Sequence, residues 1–303
     1  MAEITAAMVK ELRIKTDAGM MDCKKALVEC DGNMDEAVKY LREKGIAKAA
    51  KKADREAKEG IVATIVEGKD GIIYEINCET DFCSKGDKFQ ALAAEIGAAL
   101  KASSATTLED ALNVAINGTT VEKYIAEQCA VIGENMKLRK FGRYTLAGEG
   151  TIASYIHMGG KVGVLVEIST EAGDHEAVKE LAHDICLQIA AAKPEAVRRE
   201  EVNSENLEKE REIYRAKALE SGKPEKIVDK IVEGQIEKYY KEVCLLEQVF
   251  VKDGDKTIKG VVAETAKAVG SPIDVIRYAR FERGEGIEKR KDNLAEEIAK
   301  MAQ

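Results

Sequence analysis

The sequence predicts an α+β protein with a duplicated core, and three observations carry that expectation. The first is an internal repeat: "GIVATIVEGKDGIIYEINCET" from Gly60 matches "GTIASYIHMGGKVGVLVEISTE" from Gly150. Each copy has a Gly, an apolar strand with Ala at its fourth position, a Gly-containing turn, and a second β-branched strand ending in Glu-Ile, which is the pattern of a β-hairpin. The second is that each hairpin precedes an amphipathic helical stretch, "DKFQALAAEIGAAL" or "EAVKELAHDICLQIAAA". The third is a long charged pair of helical patterns, broken at "SGKP" (221–224), inserted in the second copy. Two copies make a duplication, not a solenoid.

The chain opens with helical periodicity. Ile4, Ala7, Met8 and Leu12 recur at helical spacing, "TDAG" interrupts, and Met20, Met21, Ala26, Leu27 and Val28 resume it. After "DGN", the stretch "MDEAVKYLREKG" places Ala37, Val38 and Leu41 on one face and ends at Gly45, a stop signal. A three-helix unit of about 45 residues follows, near the size at which a core alone is marginal. From Lys39 to Lys58 there are eight basic residues, set against Glu43, Asp54, Glu56 and the adjoining Glu59. This Ala-rich stretch reads as a solvated linker helix; as an RNA-backbone site it is weakened by its acids and its lack of aromatics. "KLRKFGRYTL" (137–146) supplies a further strand between the two copies.

In the second copy, "EAVRREEVNSENLEKEREIYRAKALE" and "PEKIVDKIVEGQIEKYYKEVCLLEQ" predict an antiparallel helical hairpin, with Pro224 in the first turn of its second helix. "QVFVKDGDKTIKGVV" and "PIDVIRYARFERGEG" then return to a strand-rich pattern, and "NLAEEIAKMAQ" closes the sequence as a short helix. The expected division is 1–55, a three-helix domain with a basic linker; 56–148, the first core half; 149–197 with 246–285, the second; 198–245, the inserted hairpin; and 286–303, a C-terminal module.

Composition narrows the function. The 303 residues are 45% apolar and carry 47 basic against 55 acidic side chains, a formal charge of −8 that argues against a dedicated nucleic-acid binder. No apolar run approaches the roughly 20 residues needed to span a bilayer. "MAEITAAMVKELRIK" is amphipathic and charged, unlike a secretory signal, so a cytoplasmic location and no membrane binding are expected. The seven Cys are scattered without a CxxC pair, which favours reduced, mostly buried thiols over a disulfide framework or zinc site.

Catalytic constellations are missing where an enzyme should show them. The three His lack the HExxH spacing, so no metal site is expected. "HMGGKVG" departs from a phosphate loop, because Val162 follows Lys161 and Tyr155 stands where the opening Gly belongs. His183, Asp184 and Cys186 are too close along one helix to form a nucleophile, base and orienter set. No cofactor is expected.

Large side chains in turns stand out instead: Met20 and Met21 after "DAG", Phe82 in "YEINCETDF", and His157 with Met158 at the tip of the second hairpin. With only five Phe and no Trp, the chain has little aromatic surface to place in a polar loop. Several such anchors among polar neighbours point to an interaction protein with a multi-point interface.

"LRIKTDAGMMDCKKAL" (12–27) and "EINCETDFCSKGDKF" (75–89) resemble the two signatures of the bacterial translation elongation factor Ts family, and "SYIHMGGKVGVLVE", "KPEAVRREEV", "SGKPEKI" and "GEGIEK" follow the family's order. The resemblance covers essentially the whole chain. It implies a guanine-nucleotide exchange factor that binds elongation factor Tu, displaces Mg²⁺ and promotes GDP release, without catalysis of its own and without direct contact to nucleotide, nucleic acid or membrane. It also implies that the N-terminal helices form a ubiquitin-associated-like domain and that the inserted helices form a coiled coil.

By the same resemblance, Thr80, Asp81, Phe82 and Cys83 match the family's T-D-F-V loop, which enters between two helices of the partner's GTPase domain. Phe82 is then the wedge and Asp81 its polar companion. His157, Met158 and Gly159 match a histidine turn that contacts a further partner domain, and Met20 and Met21 match the N-terminal domain's contact loop. Three positions depart from the pattern: Asp17 for Gly, Cys83 for Val, and Gly86 for Asn. The last is a pair of residues that both accept positive φ.

Overall fold

The computed structural model describes residues 4–16, 18–222 and 224–287. Asp17 and the closing "NLAEEIAKMAQ" therefore lie outside the described residues.

The chain begins with helices α1 (Ala6–Thr16), α2 (Met20–Glu29) and α3 (Met34–Ala50), then strands β1 (Glu59–Glu67) and β2 (Asp70–Cys78). Helices α4 (Asp81–Lys85), α5 (Asp87–Ala102) and α6 (Leu108–Asn113), strands β3 (Ala115–Ile116) and β4 (Thr119–Thr120), α7 (Val121–Ile132) and β5 (Lys137–Thr145) complete the first half. The second half holds β6 (Gly150–His157), β7 (Val162–Ser169), α8 (Glu176–Ala192), α9 (Ser204–Glu220), α10 (Glu225–Val243), β8 (Val249–Phe250), β9 (Asp253–Thr257), α11 (Ile258–Val269) and β10 (Asp274–Glu282). The fold is α+β, and its two larger sheets have the orders β1-β2-β5 and β10-β7-β6. In both, the second strand of the repeated hairpin is central, which is why β2 and β7 are buried at nearly every residue.

The chain divides into two compact units, one with residues 4–62, 74–141 and 282–287 of those described, the other with 63–73 and 142–281. In the first, α1–α3 close on Val9, Leu12, Cys23, Ala26, Leu27 and Ala37. The turn into α3 has Asp31 and Gly32 at φ 47° and 82°, and the Asn33 side chain accepts from the amides of Asp35 and Glu36, capping the helix. Gly45 does not end α3, contrary to its sequence signal: the helix runs on to Ala50. Gly45 is buried against α7, where an added Cβ would stand 3.4 Å from that of Ala130. The glycine lies in a helix–helix contact inside α3, which local sequence cannot distinguish from a stop.

The basic stretch is largely engaged within this unit. Arg42 pairs with Glu127 at 3.6 Å, Lys48 with Asp22 at 3.1 Å and Arg55 with Glu79 at 3.6 Å. Lys44 lies over the Tyr40 ring, Lys52 donates to the Gly133 carbonyl and Lys58 to that of Ile287. Helix α5 buries Phe89, Leu92, Ala93, Ile96 and Leu100, each such side chain contributing about 1.5–3 kcal/mol except the smaller Ala. Between α6 and α7, Asn117 and Gly118 at φ 48° and 76° join β3 to β4, the two-residue hairpin that an Asn-Gly pair specifies.

The second unit is built on β6 and β7, paired antiparallel from Gly150↔Ser169 to His157↔Val162. Val162, Val164, Val166 and Ile168 of β7 pack with Leu181, Ile185 and Ile189 of α8 and with Ile258 and Val262 of α11. Helix α11 corrects the strand expectation for "TIKGVV". The Thr257 hydroxyl accepts from the Gly260 amide to start the helix, Ile258 and Val262 share its buried face, and Gly270 ends it at φ 68°. The inserted α9 and α10 form the expected hairpin around Ala218, Val228, Val232 and Ile236, with Arg211–Glu233 (2.6 Å) and Arg215–Asp229 bridging them. Pro224 precedes the first turn of α10 as its N-cap instead of entering it.

The repeat glycines share one physical cause. A Cβ on Gly60 would meet the Ile76 carbonyl oxygen at 2.1 Å, and one on Gly150 would meet that of Ile168 at 2.2 Å. Each copy needs glycine where its hairpin backbones approach most closely.

Candidate functional site: an exposed phenylalanine on a braced turn

Strand β2 delivers the chain to a tight turn. The Thr80 side chain accepts from the Cys83 amide at 3.2 Å and caps α4, so Asp81 and Phe82 lie in a helical turn and not in the open loop the sequence suggests. Ser84 is buried, with its hydroxyl donating to the Asp81 carbonyl at 3.0 Å. Gly86 ends α4 at φ −73°, extended, so positive φ is not what selects a small residue there. Its amide donates to the Cys83 carbonyl, whose oxygen would lie 3.3 Å from a Cβ on Gly86.

Phe82 is 86% exposed. A side chain that could contribute about 1.5–3 kcal/mol by burial is left in water, on a backbone fixed from several sides. The Glu134 carboxylate accepts from the amides of Glu79 and Thr80, both at 3.0 Å, and from the Thr80 hydroxyl at 2.5 Å. In return the Glu79 carboxylate accepts from the Asn135 amide at 2.6 Å, and Asn135 donates to the Arg55 carbonyl at 2.8 Å. Asp81 pairs with Lys85 at 2.7 Å, and that hydrogen bond, then the ammonium charge, holds its carboxyl below the ordinary range. Underneath, the Cys78 thiol donates to the Thr80 carbonyl at 3.2 Å; hydrogen bonding with Cys83, then burial, pushes its pKa far up.

Glu134, Glu79, Asn135 and Arg55 escaped sequence reasoning. Glu134 lies 54 residues from Thr80, and no local pattern links them.

The other expected contact residues fall in two further places. Met20 and Met21 occupy the first turn of α2, 58% and 75% exposed, and Ile14 near the end of α1, which the sequence did not single out, is 74% exposed. In the second unit, His157 is the last residue of β6 and not part of the turn itself. Its Nδ1 lies 3.0 Å from the Tyr155 hydroxyl, and the Tyr155 ring also meets His183 edge-on at 5.7 Å. Met158, Gly159 and Gly160 follow at φ 48°, 61° and 93°. Left-handed geometry at a non-glycine residue costs on the order of 1–2 kcal/mol, and here it holds a methionine 68% exposed.

A network of hydrogen bonds thus holds a polar turn that leaves a phenylalanine in solvent. The sequence model of the family described as Elongation factor TS matches residues 79–285. The chain belongs to the elongation factor Ts family. It is 53% identical over 301 residues to elongation factor Ts of Clostridium perfringens (strain SM101 / Type A), covering 98% of this chain and 99% of that one. Identity is 52% to that of Clostridium botulinum (strain Eklund 17B / Type B), with the same coverage, and 51% to that of Syntrophotalea carbinolica, covering 99% of both chains. Membership places the chain among translation elongation factors. Among the described residues, no helix is long and apolar enough to cross a membrane.

Proposed function

We propose that this protein is the guanine-nucleotide exchange factor of elongation factor Tu, acting in the cytoplasm and without a catalytic group of its own. The single observation that carries the reading is Phe82, almost fully exposed on a turn braced by Glu134 and Thr80. Preorganisation of this kind lowers the entropy lost on docking, so an aromatic anchor can be driven between packed helices of a partner. Phe82 enters the partner's GTPase domain, and Asp81 accompanies it as the polar group that shifts the elements holding Mg²⁺. Thr80 and Cys83 hold the turn, His157, Met158 and Gly159 contact a further partner domain, and Met20 and Met21 contact the GTPase domain. Residues 1–55 serve as the docking domain, 56–148 and 149–197 with 246–285 as the core halves, and 198–245 and 286–303 as accessory modules.

The mechanism is linkage. A protein that binds the nucleotide-free partner more tightly than the nucleotide-bound one must lower nucleotide affinity by the same factor. Loss of Mg²⁺ and displacement of phosphate-binding groups remove charge neutralisation from the diphosphate. A coupling of about 4 kcal/mol corresponds to roughly a thousandfold in affinity.

The test is release of a fluorescent GDP analogue from bacterial elongation factor Tu. Wild-type protein is expected to accelerate release many-fold, with Phe82→Ala and Asp81→Ala, still folded, losing most of that. No acceleration by the wild type overturns the reading.

A further inference from the structure

We propose that Cys78, Cys83 and Glu134 form a binding site for a thiophilic divalent cation of the zinc class. Their Sγ and carboxylate oxygen atoms all lie within 4.8 Å of one another. In a tetrahedral zinc site with Zn–S near 2.3 Å, sulfur atoms stand about 3.8 Å apart, so closure requires each donor to move by about 1 Å or less. The donor set, two sulfurs and one oxygen, excludes Mg²⁺ and Ca²⁺, which take oxygen ligands, and suits Zn²⁺, Cd²⁺ or Co²⁺.

The elements that bring these donors together are those that brace the turn. Cys78 is the last residue of β2 and fully buried, Cys83 lies in α4, and Glu134 follows α7. Cys83 and Glu134 are half-buried, so an ion can reach the donors and keep a water as its fourth ligand. The Glu134 carboxylate accepts three hydrogen bonds, and a carboxylate has about four lone-pair positions, which leaves one for a metal. Binding exchanges two thiol protons for one divalent cation: M²⁺ + 2 RSH + carboxylate → M(SR)₂(carboxylate) + 2 H⁺, with charge balanced. The CxxC spacing that sequence reasoning sought is absent, because a strand end, a helix and a distant turn supply the ligands. The site stands independently of the exchange reading. It would tie the residue after Phe82 to β2 and to Glu134.

The experiment is titration of Co²⁺, then Zn²⁺, into the reduced, chelator-treated full chain. Expected are one ion per chain with thiolate-to-cobalt charge-transfer absorption, release of about two protons per ion, and protection of Cys83 from iodoacetamide. Cys83→Val, which keeps a small apolar side chain, should lose the charge-transfer band and weaken binding at least tenfold with circular dichroism unchanged; Glu134→Gln should weaken it about as much while keeping an acceptor for Thr80. Absence of the thiolate band in the wild type overturns the proposal. So does a band that persists in Cys83→Val, which would assign the ion to another of the seven cysteines.

Discussion

Glu134 holds Thr80 twice, accepting from its amide at 3.0 Å and from its hydroxyl at 2.5 Å. Through Thr80, which caps α4, a residue beyond α7 sets where Phe82 stands. Glu134→Ala leaves two backbone donors and a hydroxyl to water or to nothing, a loss of about 1–3 kcal/mol. The expected result is a lower melting temperature and nucleotide release slowed toward the Phe82→Ala level, although Phe82 is intact. Glu134→Gln, which retains acceptor oxygen, should recover part of both, and a fluorescence melt with the release assay reads the two together.

The Asp81–Lys85 pair gives a titration prediction. The Lys85 hydrogen bond and charge hold the folded Asp81 carboxyl below the ordinary carboxylate range, so the pair's contribution is complete above that range and fades as pH falls through the folded value. Lys85→Ala removes the hydrogen bond and the charge, and the Asp81 carboxyl should then titrate nearer to its ordinary value. A carbon-detected NMR titration of the side-chain carboxyl measures this, and at neutral pH no change in Asp81 ionisation is expected in either protein.

Met158 separates stability from contact. Replacing it with Gly relieves left-handed strain of about 1 kcal/mol but returns about 0.4–1 kcal/mol of freedom to the unfolded chain. Met158→Gly should therefore melt close to wild type while binding elongation factor Tu more weakly, as seen by calorimetry of both steps.

Gly45 is tested by size. Its added Cβ would lie 3.4 Å from Ala130 Cβ, at the edge of ordinary contact, while Ala improves helix propensity by about 1 kcal/mol. Gly45→Ala is expected to be neutral or slightly stabilising in urea unfolding. Gly45→Leu should destabilise by about 1–3 kcal/mol through overpacking against α7.

Much of the fold was legible because it is local. The repeat at Gly60 and Gly150 marked both hairpins, periodicity bounded α8 at Glu176–Ala192, and "SGKP" placed the break between α9 and α10. Asn117-Gly118 was legible too, as a hairpin signal that the sequence reading passed over. By contrast, "TIKGVV" has β-branched residues that suit a strand, and the Thr257 cap together with burial against α8 makes it helical. Exposure of Phe82 was inferred from its polar neighbours, yet the helical form of its turn was not.

The sequence by itself determined the α+β class, the duplication and the inserted helical hairpin, since each is written in spacing along a few consecutive residues. Only the tertiary structure decided that β5 and β10 complete the two sheets, that Gly45 packs instead of stopping a helix, and that Glu134 reaches both Thr80 and the Cys78–Cys83 pair. Those outcomes depend on groups that lie tens of residues apart and meet only once the chain has folded, and local periodicity has no means of recording which of them will meet.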